Sequence, residues 1–183
     1  MNYKRWLLVA AVIFVLGIAA GLATPPGFIS EDIIGFEDIE SLTELSPSAL
    51  TIFILFKNGL ALLLGFALSP LFLIVPFIAL AINGWILAVV SVTVLEEQSF
   101  AFLLAGLLPH GVFELPAFIM AEAAALSFGT AVIAALFRKE KRGLVLPSFR
   151  QNARYLAVAL LLLIPAALIE AYLTPLLMGW LSG

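Results

Sequence analysis

Long apolar stretches alternate with short polar ones along this chain, and the apolar stretches are too continuous to be one face of a soluble helix or strand. A bilayer core takes about 20 consecutive apolar residues per crossing. The run from Trp6 to Ala23, preceded by Lys4 and Arg5, predicts a first span over about 6–23. Leu50 to Leu95 stays apolar long enough to cross twice, and Ser69-Pro70 is its one turn signal, which predicts antiparallel spans at 50–68 and 71–95. Phe100 to Phe137 is the longest run. Tyr155 to Trp180 predicts a last span over 155–180, kinked by Pro165 and Pro175. The fold class that follows is an all-α integral membrane protein, with residues 1–183 forming one transmembrane domain.

The segment 24–49 is the longest polar one. It opens on Pro25-Pro26-Gly27 and carries Glu31, Asp32, Glu37, Asp38, Glu40 and Glu44 without a Lys or Arg. Phe36, Ile39, Leu42 and Leu45 recur every three residues, and Ser30 before two acids has the form of a helix start. The expectation is one or two short amphipathic helices over the end of the bundle, either a solvated acidic loop or a lid or docking surface for an extracytoplasmic partner.

Charge gives the chain a direction. All nine Lys and Arg residues except Lys57 lie at the N-terminus or within 138–154, and none lies in 24–49 or 96–99. The positive-inside rule then places the N-terminus and a basic 138–154 loop in the cytoplasm of a multi-pass cell-membrane protein, with the acidic segments and the C-terminus outside. Between Glu96-Glu97-Gln98-Ser99 outside and Arg138 inside, the chain must cross an odd number of times. One straight helix over 100–137 would run about 57 Å, nearly twice the hydrocarbon thickness. Pro109-His110-Gly111 offers a break, so the expectation is a re-entrant half-helix at 100–108 followed by a crossing helix at 112–137. That makes five crossings plus a half-helix.

Composition narrows the chemistry. The chain is 63% hydrophobic and 11% charged, with a net charge of −3 and no cysteine. Disulfides, thiolate nucleophiles and thiolate-held metals are therefore excluded. No Gly-rich phosphate loop and no serine in a nucleophile elbow is present, and one histidine cannot supply HExxH. A His/Glu/Glu metal site would have to be assembled across helices, and no spacing demands one. The expectation is no metal, no cofactor, no nucleic acid and no enzyme activity, with membrane lipid as the constant partner.

Against that background the polar residues inside apolar runs stand out, because an ionisable group at the bilayer centre costs about 2.5–3.5 kcal/mol on insertion scales. Leu108-Pro109-His110-Gly111-Val112-Phe113-Glu114-Leu115-Pro116 holds the one histidine and a carboxylate four residues on, which share a face if the helix is continuous. Lys57-Asn58-Gly59 and Asn83-Gly84 place amides, a lysine and glycines inside two other spans. Glu122 and Glu170 are further intramembrane carboxylates and candidates for an ion or proton relay. Lys57, His110, Glu114 and Glu170 fall at similar depth and can form a cluster in the outer half of the membrane. A structural reading stands beside this one: Glu114 complements the start of a helix after Gly111, and the asparagines serve as packing glue. Gly17 and Gly21 form a small-xxx-small face that suits packing within the chain or a homo-oligomer. The first run also suits a signal peptide cleaved after Ala23, but its glycine face favours a retained span.

The His110-Gly111-x-x-Glu114 motif, with Asn58 and Asn83-Gly84 before it and an alanine- and glycine-bearing span after it, resembles the stage II sporulation protein M family of polytopic membrane proteins. The resemblance runs over about Leu50 to Phe137 and marks His110, Gly111, Glu114, Asn58 and Asn83. It implies an architecture more than a task. In spore-forming bacteria the named member is associated with two wall-degrading proteins that drive membrane migration during engulfment. Two functions are expected from different classes. One is a non-enzymatic assembly or scaffold component in cell-envelope or membrane remodelling, with His110 and Glu114 as a dry, paired keystone. The other is a proton- or ion-coupled transporter or channel using the His/Glu/Lys cluster, which requires those side chains to meet at a cavity.

Overall fold

A computed structural model describes residues 3–25 and 45–182. The described chain is helical: α1 (Tyr3–Leu22), α2 (Pro47–Leu68), α3 (Ile74–Glu97), α4 (Phe100–Phe137), a 3₁₀ segment (Lys139–Leu144), α5 (Val145–Leu168), a π-helical turn (Ile169–Leu173) and α6 (Thr174–Ser182). Among the described residues five helical stretches are long and apolar enough to cross a membrane, the fifth (Lys139–Leu181) running from the 3₁₀ segment through α5 and the π turn into α6. Large side chains such as Phe56, Leu71, Leu161 and Trp180 point outward from the bundle. That is the arrangement expected when lipid is the solvent.

Helix ends follow local chemistry. Ser46 caps α2, its Oγ accepting from the Ala49 N–H, and Pro47 sits at the first position, where its missing N–H is harmless. Ser99 caps α4 in the same way through the Phe102 N–H. At the far end of α4, the Arg142 guanidinium donates to the Ala135 carbonyl, placing a cation on the orphan C-terminal groups. α2 starts three residues inside the segment expected to be loop, and the expected acidic cap at 26–44 lies outside the described residues.

Neighbouring residues show how the helices run. Gly17 lies against Ala81 and Gly21 against Trp85, so α1 and α3 are parallel. Asn58 meets Glu114, Gly65 meets Glu122 and Ser69 meets Gly129, so α2 and α4 are parallel. Phe128 packs on Phe149 across the α4–α5 hairpin. Successive spans therefore alternate, and the Tyr3–Tyr155 stack brings the Lys4-Arg5 end beside Arg154.

Two expectations change here. Residues 100–137 form one α-helix of 38 residues, with both Pro109 and Pro116 inside it, rather than a half-helix at 100–108 and a separate helix at 112–137. Each proline frees one carbonyl, at Ala105 and Val112, for about 3 kcal/mol in an isolated helix. A true break would leave several backbone groups unpaired in hydrocarbon, each costing a comparable amount, so the continuous helix is the cheaper state. Its excess length packs in part against other helices, with Phe100, Leu136 and Phe137 left exposed at the two ends. The eight residues past Gly129 carry α4 about 12 Å beyond the α2–α3 turn, where they pair with α5, and α6 lies along the other end with Met178 beside Gly106. The basic 138–154 segment is also not a loop throughout, because α5 begins at Val145. Pro147 falls in its first turn, where no N–H partner is lost, and Phe149 anchors that turn against Phe66 and Phe128.

The core is the α4 helix. Ala117, Ala121, Ala123, Ala124, Ala125 and Ala131 are buried along it, and such small side chains let neighbouring backbones approach closely.

Candidate functional site

His110 and Glu114 project from one face of α4, one turn apart, with His110 Nε2 3.9 Å from Glu114 Oε2. The continuity of the helix through Gly111 is what sets that pairing. From α2, the Asn58 amide donates to Glu114 Oε1 at 2.8 Å. The third ionisable group comes from a later segment, which packs against both α2 and α4. Glu170 sits in the π-helical turn of Ile169–Leu173, between Pro165 and Pro175. Pro175 cannot donate to the carbonyl one turn back and its ring crowds it, and the chain accommodates this with one extra residue in the turn. The turn carries Glu170 to α4. One donor atom each from His110, Glu114 and Glu170 lies within 4.8 Å of the others.

The cluster opens on a cavity of about 320 Å³ between the helices, lined by Asn58, Asn83, His110 and Glu114 together with apolar residues such as Phe14 and Phe118. His110 Nδ1 is buried with no hydrogen-bond partner. Glu114 and Glu170 repel one another, and Lys57 attracts both. Lys57 is exposed, and among the described residues no Lys or Arg stands within ion-pair distance of either carboxylate. The arrangement can hold a proton or a cation, because it gathers two acceptor-only carboxylates and an imidazole in a half-buried place without a matched cationic partner.

The chain's membership follows from its residues 10–175, which match the family model described as stage II sporulation protein M. The chain belongs to the stage II sporulation protein M family. An uncharacterized protein of Methanocaldococcus jannaschii is 27% identical over 154 residues, covering 78% of this chain and 86% of that relative. No solved structure matches the chain. Family membership and the apolar helices make it a membrane protein, and neither the family's description nor that relative's specifies an activity.

Within this family member the expected site residues separate into three groups. His110, Glu114, Asn58 and Glu170 converge, and Lys57 acts on the two carboxylates from a distance. Asn83 lines the same cavity, but its amide donates to the Ala79 carbonyl of its own helix at 2.8 Å. Gly111 also lines it and is not there for tight packing, since an added Cβ would meet only Leu115 Cδ1, at 4.0 Å. Glu122 is not part of the cluster. It lies about 12 Å further along α4, 2% exposed, against Gly65, where an added Cβ would come within 3.1 Å of Oε1.

The glycine face of α1 is used inside the chain. A Cβ on Gly17 would overlap the Ala81 carbonyl, one on Gly84 would overlap the Phe14 carbonyl, and the Trp85 indole N–H donates to Thr24 Oγ1 at 2.9 Å at the end of the same seam. Of the two roles expected for Gly17 and Gly21, packing within the chain is the one this contact fills. The close approach is a contact with α3.

Sequence reasoning missed Asn152 and Thr174, buried polar side chains with Asn152 Oδ1 and Thr174 Oγ1 unpartnered. Thr174 follows the π turn, and its backbone N–H closes that turn on the Ile169 carbonyl. The available signal was the Pro165/Pro175 bracket around Glu170, which predicted a kink but not the extra residue.

Proposed function

We propose that this protein is a proton- or ion-handling membrane protein, in which Glu114 and His110 exchange the charge, Glu170 shares it and Lys57 tunes it from a distance. The observation that carries this reading is the cavity: Asn58, Asn83, His110 and Glu114 border open space instead of a fully paired core. A keystone serving assembly alone has no need of a cavity of about 320 Å³ beside an unpartnered imidazole nitrogen. Irregular backbone and ionisable groups at membrane depth are tolerated where they line such a space. The alternation of spans supports a cytoplasmic N-terminus and an extracytoplasmic C-terminus in a cell membrane, which puts the cavity toward the outer half.

The test uses the full chain in proteoliposomes, with proton uptake driven by a potassium diffusion potential and read by a pH-sensitive dye. Glu114→Gln keeps the size and the bond from Asn58 while removing the titrating group, so it is expected to abolish uptake without lowering the unfolding midpoint. A folded Glu114→Gln protein with undiminished flux refutes the reading. In that case the assembly role in envelope remodelling takes its place.

A further inference from the structure

The ion suited to this cavity is recognisable from its donor set. His110 and Glu114 one helical turn apart form a chelating pair on a single face, as two ligands at i and i+4 do in helical zinc motifs. The π turn adds Glu170 from a second element, and the three donor atoms lie within 4.8 Å of one another. Two ligands on a tetrahedral ion with bonds of about 2.1 Å stand roughly 3.4 Å apart. The His110–Glu114 separation of 3.9 Å therefore closes with a small side-chain adjustment. Charge gives an independent argument. Two carboxylates this close repel and have no Lys or Arg within 4 Å among the described residues, whereas a dication with two carboxylates and a neutral imidazole is neutral, the least costly state in a low-dielectric interior.

We infer that His110, Glu114 and Glu170 bind one divalent transition-metal ion of the zinc class, with Asn58 orienting Glu114 from behind and the remaining coordination position open to the cavity. This rests on reading the cluster as a cation-handling site and names its cation. The imidazole selects late first-row ions over Mg²⁺ and Ca²⁺, which prefer all-oxygen shells. The Asn58 hydrogen bond at 2.8 Å occupies Glu114 Oε1 and leaves Oε2, the oxygen facing His110, for the ion. Lys57, exposed on α2, serves as the long-range counter-charge to Glu114 and Glu170 in the metal-free state.

The experiment takes the purified full chain, stripped with a chelator, and titrates it with Co²⁺ while following the visible d–d absorbance, with Zn²⁺ as competitor. One Co²⁺ per chain is expected, displaced by Zn²⁺, with affinity at least tenfold weaker in Glu170→Gln and in His110→Gln but unchanged in Glu122→Gln. Absence of a saturable band overturns the inference, as does equal affinity in a Glu170→Gln chain whose unfolding midpoint is unaltered. Should both ligand variants fail to fold, X-ray absorption at the zinc edge of the wild-type chain decides: a shell of one nitrogen with oxygens supports the site, and a sulfur-containing or all-oxygen shell overturns it. The proteoliposome assay separates the two claims. Stoichiometric metal without flux keeps the metal site and removes transport, and flux in a chain that binds no metal removes the metal site and keeps proton handling.

Discussion

Gly17→Val is the sharpest test of the packing that brings the site together. Gly17 lies on the seam where α1 runs parallel to α3, and an added Cβ would overlap the Ala81 carbonyl while standing 3.1 Å from the Ala81 carbonyl carbon and 3.2 Å from its Cα. Those atoms are backbone and cannot rotate aside, so the helices must part. Restoring ordinary contact needs a separation of about 1 Å, and a gap of that size forfeits roughly a quarter to a half of each dispersion contact along the seam. Overpacking of this kind costs about 1–3 kcal/mol. Valine lies close to glycine in helix propensity, so the gain in backbone rigidity offsets only a few tenths of a kcal/mol. The expected net destabilisation is about 2 kcal/mol, a shift of up to about 30-fold in the unfolding equilibrium. Unfolding in mixed micelles measures it, and Trp85 provides a local reporter, because its hydrogen bond to Thr24 lies on the same seam. A Gly17→Val chain with the wild-type midpoint, accompanied by conversion of a dimer to a monomer, would refute the argument and return the glycine face to an intermolecular role.

Two further outcomes follow from the cluster. Asn58→Leu removes the hydrogen bond to Glu114 Oε1, a bond to a charged group worth about 1.5–3 kcal/mol, and is expected to lower Co²⁺ affinity about tenfold or more while leaving the stoichiometry at one; undiminished affinity shows that Asn58 does not orient the carboxylate. Gly111→Leu projects a side chain into the cavity from a position where a Cβ meets only Leu115, so the unfolding midpoint should stay within about 1 kcal/mol of wild type while flux falls sharply; retained flux shows that the cavity is not the route.

Much of this protein was legible before any tertiary information. Hydrocarbon cannot hydrogen-bond the backbone, so a run such as Leu50 to Leu95 has little choice but to form membrane-spanning helices, and the class and approximate spans follow from composition and run length. The same scarcity of polar groups made His110, Glu114, Lys57 and Glu170 conspicuous, because every ionisable residue in such a run needs a reason. What a linear pattern cannot settle is the balance between competing local costs. Pro109-His110-Gly111 reads as a break, and only the surrounding helices show that a continuous α4 loses fewer backbone bonds than an interrupted one. Gly17 and Gly21 carry the same pattern whether they face α3 or a second chain, and the Ala81 and Trp85 backbones decide it. Most consequentially, no spacing places Glu170 beside residues more than fifty positions earlier. A π turn between two prolines brings that carboxylate to α4, so the sequence by itself determined which ionisable groups enter the membrane, and tertiary packing decided that donor atoms of His110, Glu114 and Glu170 lie within 4.8 Å of one another while Glu122 remains apart.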